Sequence, residues 1–254
     1  MNSVNLLGIN IHCINQEGIL ESILTWNSNA ERRKIVYANA HCLNIASVNK
    51  EYSDVLNQAD LVLPDGLSVV WGSKLLGGCK LQKISSIHWV DRIFDFIVRN
   101  KLRIYIIAGK PEIITRAVNT ILKIHPEMEI TGYSSGYLTE ESQQQVLDEI
   151  NGISPDILFV GMGSPHQEFW IHKNQEQISA KICWAVGALF DYLAGVERIA
   201  PGWVSGIGLE WLWRLCLDPK GKWKRYLIGN PLFIYRILKQ KFGTKSINHK
   251  EEIK

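Results

Sequence analysis

Three segments of the chain place polar side chains directly after apolar runs that have the length of buried strands. Asn39 follows the run 35–38, and Asp65 follows the run 61–63 within the turn sequence Pro-Asp-Gly. Open α/β sheets bind ligands at the carboxyl ends of their strands, so these side chains are predicted to meet in one cleft. A carboxylate in such a cleft can accept a proton from a substrate hydroxyl. Each residue also has a purely structural interpretation, Asp65 as ordinary turn chemistry and Asn39 as a turn cap.

The third segment, residues 161–168, reads Gly-Met-Gly-Ser-Pro-His-Gln-Glu and follows the run 156–160. Glycine lets the backbone approach a ligand, Ser164 can cap a helix, and Pro165 suits a first helical position. The exposed N–H groups and positive dipole end of such a helix form an anion site suited to a diphosphate. The segment is neither a G-x-G-x-x-G fingerprint nor a P-loop, which disfavours a nucleotide-dependent oxidoreductase.

Strand-like and helix-like patterns alternate along the first three quarters of the chain. Strands are predicted at 4–9, 35–38, 61–63, 103–108, 128–133, 156–160 and 181–186, with helical patterns between them. Strands separated by helices of this length form right-handed βαβ units. The predicted fold is therefore an α/β, doubly wound, mostly parallel sheet that is Rossmann-like, followed by a C-terminal helical appendage.

The character of the chain changes after residue 197, which divides a predicted catalytic domain (1–197) from a predicted helical appendage (198–254). The appendage holds 12 Lys and Arg against 4 Asp and Glu, whereas the first 197 residues hold 16 against 21. Its basic residues alternate with Trp and Tyr, as in helices that lie in a membrane interface. The alternative is an appendage packed on the core with its charges in solvent. Nucleic acid is not an expected partner, because no nucleic-acid module is present.

The cysteine content and the apolar runs of the chain indicate its cellular compartment and limit the kinds of site it can hold. The five cysteines are odd in number, widely spaced and without a C-x-x-C pair, which argues against both a disulfide framework and a zinc site and fits a reducing cytoplasm. The N-terminus lacks the pattern of a signal peptide, and no apolar run approaches the ~20 residues that span a bilayer. The predicted location is cytoplasmic, peripherally associated with the inner face of the cell membrane, and no cofactor or metal is expected.

A set of motifs spaced over nearly the whole chain resembles the WecG/TagA/CpsF family of bacterial glycosyltransferases. They are Asn39, Pro-Asp-Gly at 64–66, the stretches 163–168 and 186–195, Ala-Pro at 200–201, Gly-Leu-Glu-Trp-Leu-Trp-Arg at 208–214 and Arg-Tyr-Leu-Ile-Gly-Asn-Pro at 225–231. The resemblance implies an inverting, metal-independent transferase of cell-surface polysaccharide biosynthesis. Its donor would be a UDP-sugar carrying an N-acetylmannosamine-type or uronic sugar, and its acceptor a polyprenyl-diphosphate-linked glycan. It also suggests a homo-oligomer, a dimer.

The resemblance assigns roles to individual residues. Asp65 matches the proposed general base of the family, and Gln167 matches a residue implicated in substrate binding. Arg214 and Arg225 match appendage arginines that cover the active site and can hold a diphosphate. The full set of predicted substrate-binding residues is Asn39, Lys83, Gly163, Ser164, Gln167, Glu168, Arg214 and Arg225.

One segment departs from the family pattern. Where the family usually reads Arg-Val-x-Gly-x-Asp, this chain has Lys-Ile-Ser-Ser-Ile-His at 83–88. Lys83 keeps the charge but loses the planar fork of arginine, and His88 reverses the polarity of the usual aspartate. These changes leave open a second hypothesis, a non-catalytic paralogue that binds nucleotide-sugar or lipid-linked glycan.

Overall fold

The computed structural model describes residues 2–29 and 32–251. Its centre is a sheet of six parallel strands in the order β4-β3-β8-β7-β5-β6. The strands are β3 (Arg33–Ala38), β4 (Leu61–Pro64), β5 (Ile104–Ala108), β6 (Ile130–Ser134), β7 (Ile157–Gly161) and β8 (Ile182–Ala185). Every residue of β4, β5, β7 and β8 is buried, as expected for parallel strands covered on both faces.

Helices cover both faces of the sheet, which confirms the predicted doubly wound α/β fold. Helices α2 (Ala40–Ala46), α3 (Lys50–Asn57), α7 (Glu140–Ile153) and α8 (His166–Asn174) pack on one face. Helices α1 (Gln16–Ser28), α5 (Val90–Arg99), α6 (Pro111–Ile124) and α9 (Leu189–Leu193) pack on the other. Helix α4 (Leu67–Leu75) joins the first group through the buried Val69, and a short 3-10 turn (Ser86–His88) precedes α5.

The N-terminus forms a hairpin rather than the single strand predicted at 4–9, so that prediction is wrong. Strand β1 (Ser3–Leu6) pairs antiparallel with β2 (Ile9–His12). Between them Leu7 and Gly8 both have positive φ, 53° and 87°, which suits a tight hairpin turn. Val4, Leu6, Ile9 and Ile11 remain buried on both sides of the turn, so the apolar run continues through it and masks the turn in the sequence.

Cys13 and Cys79 form a disulfide with Cα atoms 6.3 Å apart. The expectation that the cysteines form no disulfide is therefore wrong for this pair. The two residues are 66 positions apart and meet only because the hairpin packs beside α4, a contact that their spacing does not reveal. Cys42 and Cys183 are free and buried, and Cys216 is free and exposed.

The predicted C-terminal helical appendage is confirmed as a series of helices. They are α10 (Gly202–Gly206), α11 (Glu210–Leu217), α12 (Pro219–Trp223), a π-helical turn (Lys224–Ile228) and α13 (Gly229–Glu251). None of the helices in the described part of the chain is both long and apolar enough to cross a membrane.

The last helix is tied to the sheet domain by apolar and polar contacts. Helix α13 packs against α2 and α4 and buries Phe233 and Ile237 in the same apolar cluster as those helices. Arg236 donates to both the backbone oxygen and Oδ1 of Asn44 at 2.9 Å. The division at residue 197 stays a prediction, and α13 shares a core with the residues before it.

Candidate functional site

Asn39 and Asp65 lie side by side at the carboxyl ends of β3 and β4. The Asn39 Oδ1 atom caps α2 by accepting from the backbone N–H groups of His41 and Cys42 at 3.0 and 3.1 Å. Its Nδ2 atom donates to Asp65 Oδ2 at 3.2 Å. The cap and the contact to the carboxylate therefore use opposite ends of one amide, and Asn39 orients Asp65 while it starts the helix.

The turn after Asp65 depends on glycine. Gly66 has φ 92° and ψ 151°, a conformation that is essentially restricted to glycine, and it precedes α4 directly. The Asp65 N–H donates to the Ala38 oxygen at 2.9 Å, which extends the pairing of β3 with β4 by one residue. Asp65 lines both cavities at the site, and among the described residues the one side-chain group that donates to its carboxylate is Asn39 Nδ2.

Gln167 and Glu168 form a buried hydrogen-bonded scaffold at the ends of β7 and β8. Glu168 Oε1 accepts from Ser164 Oγ and from Gln167 Nε2, each at 2.7 Å. Gln167 Oε1 accepts from the backbone N–H of Gly187 at 3.0 Å, so its amide joins the loop after β7 to the loop after β8. Both side chains are almost fully buried, at 2% and 1% exposure.

The burial of Glu168 favours the protonated form of its carboxyl group. Burial raises the pKa of the Glu168 carboxyl, and the hydrogen bonds from Gln167 and Ser164 only partly offset the rise. Its second oxygen, Oε2, has no hydrogen-bond partner among the described residues. Glu168 lines neither of the cavities at the site, whereas Gly163, Ser164 and Gln167 line the smaller one.

Two cavities meet over Asp65. The smaller, of about 160 Å³, has mixed walls that include the polar Ser85, Ser164 and Gln167 and the apolar Ile87 and Leu189. The larger, of about 430 Å³, lies between α4 and the appendage and has apolar walls. Those walls include Leu67, Trp71, Trp211, Phe233 and Ile234. The residues common to both cavities are Asn39, His41, Asp65, Arg214 and Arg225.

Arg214 and Arg225 supply the positive charge at this junction. The Arg214 guanidinium lies over the ring of Tyr192 on α9, 5.6 Å from its centroid, and the Arg225 guanidinium lies 5.5 Å from the centroid of Tyr226. Both arginines come from the appendage, and both line the two cavities beside Asp65. The appendage therefore brings two cations to the same place as the carboxylate.

Lys83 reaches the larger cavity but shares its charge with a carboxylate of the appendage. Its Nζ atom lies 2.6 Å from Glu210 Oε1, which also accepts from Ser205 Oγ at 2.6 Å and lies 2.7 Å from His88 Nε2. Burial opposes ionisation of Glu210, but the hydrogen bonds from His88, Lys83 and Ser205 together hold its pKa well below the usual range.

His41 belongs to the site although sequence reasoning did not select it. It lines both cavities, and no described residue hydrogen-bonds to its ring. Burial lowers the pKa of His41 to about 4, and the charge of Arg225 acts in the same direction, so the imidazole is neutral at pH 7. Its position two residues after Asn39, in the first turn of a helix at a strand end, is the signal that could have identified it.

Comparison with known proteins identifies the family. The glycosyl transferase WecG/TagA/CpsF family model matches residues 4–247. The chain belongs to this family. The family resemblance found from the motifs is thereby confirmed, and with it the prediction that the protein is a glycosyltransferase.

Three curated relatives of this WecG/TagA/CpsF-family glycosyltransferase carry the name N-acetylglucosaminyldiphosphoundecaprenol N-acetyl-beta-D-mannosaminyltransferase. The relative from Bacillus spizizenii is 31% identical over 87% of this chain and 84% of its own length. That from Bacillus subtilis is 31% identical over 80% and 78%, and that from Staphylococcus aureus is 28% identical over 95% and 94%. The similarity thus extends over both the sheet domain and the appendage.

The ionisable groups that line both cavities of the site are one carboxylate, one neutral imidazole and two guanidinium groups, from Asp65, His41, Arg214 and Arg225. In the described part of the chain no group of three or more His, Cys, Asp or Glu side chains is arranged to hold a metal ion. A carboxylate beside fixed cations suits a reaction in which a hydroxyl loses a proton while negative charge develops on a leaving group.

Proposed function

We propose that this chain is an inverting glycosyltransferase that moves an N-acetylmannosamine-type sugar from a UDP-sugar to a polyprenyl-diphosphate-linked saccharide. The observation that supports it best is the position of Asp65, where a small cavity of mixed polarity meets a larger, mainly apolar one. A transferase needs its base between donor and acceptor, because the acceptor hydroxyl must lose its proton as it attacks the anomeric carbon. The curated relatives' shared name supports the sugar and the acceptor.

The smaller cavity suits the donor. Arg214 and Arg225 line it beside Asp65, and the backbone of Gly163 forms part of its wall. A UDP leaving group takes up negative charge as the glycosidic bond breaks, and preorganised guanidinium and N–H donors stabilise that charge.

The larger cavity suits the acceptor. Trp71 and Phe233 give it apolar walls, which suit the polyprenyl chain that carries the acceptor saccharide. The cavity lies between α4 and the appendage. A hydroxyl entering from this side reaches Asp65 before it reaches the donor. Asp65 takes the proton, the hydroxyl oxygen forms the new bond to the anomeric carbon from the face opposite UDP, and the configuration inverts.

The appendage surface supports association with a membrane. The appendage carries both exposed apolar side chains and an excess of basic residues, a combination that suits an interface with anionic lipid. They include Trp203 at 72% exposure, Ile207 at 63%, Leu227 at 55% and Ile228 at 53%. We therefore place the enzyme at the inner face of the cell membrane, where a polyprenyl-linked acceptor is held. The dimer implied by the family resemblance stays a prediction.

The test is UDP release from a panel of UDP-sugars with a short-chain polyprenyl-diphosphate-sugar acceptor. Asp65→Asn keeps the size of the side chain and removes the base, so acceptor-dependent kcat should fall by about 10²- to 10⁴-fold. Asp91→Asn, at an exposed position of α5, is the matched control and should leave the rate unchanged.

Two results would contradict the proposal. Equal rates for the native protein and Asp65→Asn would remove Asp65 from the role of base. Measurable UDP binding without release from any donor would favour the non-catalytic paralogue.

A further inference from the structure

The helix that carries Arg214 is held to the sheet domain without a buried core of its own. Helices α11 and α12 contain no buried residue, and α10 buries only Val204. By contrast, α13 is anchored by Phe233 and Ile237. Besides the contact of its own guanidinium with the Tyr192 ring, the placement of Arg214 over the cleft therefore depends on the polar contacts that α10–α12 make with the domain beneath.

One carboxylate concentrates those contacts. Glu210, the first residue of α11, directs Oε1 at Lys83 Nζ, His88 Nε2 and Ser205 Oγ, with distances of 2.6, 2.7 and 2.6 Å. The Lys83 and Glu210 side chains are only 18% and 16% exposed, so solvent screens their attraction less than at an open surface. We call Lys83, His88, Ser205 and Glu210 the Glu210 clasp.

We propose that the Glu210 clasp positions Arg214 for catalysis and that Lys83 and His88 act on Arg214 through Glu210. Arg214 lies four residues after Glu210, one helical turn along the same side of α11, so fixing Glu210 fixes where the guanidinium lies. This inference rests on the proposed function, in which Arg214 stabilises the leaving group.

The clasp also gives a physical reason for the departure from the family pattern at 83–88. Lysine is sufficient at position 83 because its partner, Glu210 Oε1, is a single oxygen and needs no planar fork. An aspartate at position 88 would add a second negative charge near the Glu210 carboxylate, whereas His88 Nε2 contacts Glu210 Oε1 at 2.7 Å. Two of the residues that depart from the pattern, Lys83 and His88, therefore contact the same atom of the appendage.

A double-mutant cycle between Glu210 and Arg214 tests this role. Glu210→Gln removes the charge that Lys83 pairs with, so in the native background kcat should fall by about 10- to 100-fold, the worth of a charge-assisted hydrogen bond. In the Arg214→Ala background the same change should have less than about a twofold effect, because the residue it positions is gone. Lys83→Met should reproduce Glu210→Gln, and Lys83→Arg should restore activity.

The matched control is a second ion pair between the appendage and the sheet domain. Lys222 on α12 binds both carboxylate oxygens of Glu197 at 2.8 and 3.0 Å, and the two side chains are 20% and 29% exposed, similar to Lys83 and Glu210. Lys222→Met should change kcat by less than about twofold, because this pair is comparably shielded but includes no residue of the clasp. An equal loss in Lys222→Met, or additive effects of Glu210→Gln and Arg214→Ala, would overturn the proposal.

Hydrogen exchange separates this inference from the proposed function, because it needs no turnover. In Glu210→Gln the amides of 210–217 should exchange at least about threefold faster than in the native protein, while those of 230–240 on α13 keep their rates. If the native protein transfers no sugar, faster exchange confined to 210–217 still supports the clasp. Unchanged exchange at 210–217 refutes it whether or not the chain is an active transferase.

Discussion

Phe233→Ala measures whether the appendage and the sheet domain fold as one unit. Phe233 is 1% exposed, and a methyl group built on Gly72 of α4 would lie 3.4 Å from its Cζ atom, so the ring packs directly on the backbone of that helix. Removing a buried phenylalanine side chain costs about 3–5 kcal/mol of the free energy of unfolding. Domains are stable by only about 5–15 kcal/mol, so the loss should move the whole unfolding transition.

Urea unfolding followed by circular dichroism is the assay. We expect a single transition for the native protein and for Phe233→Ala, with a lower midpoint and an unchanged slope in the variant. Tyr235→Ala is the control, because Tyr235 lies on the same helix and is 61% exposed, and it should cost less than about 0.5 kcal/mol. A Phe233→Ala midpoint equal to that of Tyr235→Ala, or a separate minor transition that alone responds, would refute the view that α13 shares the core.

Three further substitutions address single residues of the site. Burial raises the pKa of the Glu168 carboxyl above its ordinary value of 4.5. At pH values between the ordinary and the raised pKa, the folded state binds more protons than the unfolded state, so the free energy of unfolding falls as pH rises. Glu168→Gln should remove this dependence and bring the urea midpoints at pH 5 and pH 8 closer together than in the native protein. Gly66→Ala should cost about 1–3 kcal/mol at φ 92° and lower kcat through the displaced Asp65, measured by urea unfolding and UDP release. His41→Ala should lower kcat/KM by about 3- to 10-fold, because the variant loses a hydrogen bond between the neutral imidazole and the sugar. Burial lowers the pKa of His41 to about 4, so the ratio of native to variant kcat/KM should stay constant from pH 6 to 8.

The sequence predicted the sheet and the strand-end residues because these depend on local pattern. Uninterrupted apolar runs such as 104–108 and 157–160 identify buried parallel strands. Because parallel strands all end at the same edge of the sheet, the residue after each run lies at the carboxyl edge of the sheet. The pairing of Asn39 with Asp65 at 3.2 Å follows from that rule, since β3 and β4 are neighbours in the sheet.

What the sequence did not show depends on contacts between distant segments. The Cys13–Cys79 disulfide and the contact of Lys83 with Glu210, 127 positions away, exist only once the hairpin and the appendage are packed. The burial of Glu168 was hidden for a different reason. A glutamate in a polar, Gly-rich turn reads as a ligand-facing residue, and only the surrounding Tyr52, Ser164 and Gln167 make it part of the interior.

The two ways in which the appendage is attached suit a transferase whose acceptor is carried on a lipid. Helix α13 buries Phe233 and Ile237 and has a fixed place, so the apolar wall that Phe233 gives the larger cavity is part of the folded domain. Helices α10–α12 bury only Val204 and depend on the Glu210 clasp, so Arg214 can leave the cleft without unfolding the core. Local openings have lower free energies where few apolar contacts must be broken. We therefore expect α10–α12 to move away from the sheet domain when substrate enters. Arg214 would leave Asp65 in that open state and would return to stabilise the leaving group when the helices close.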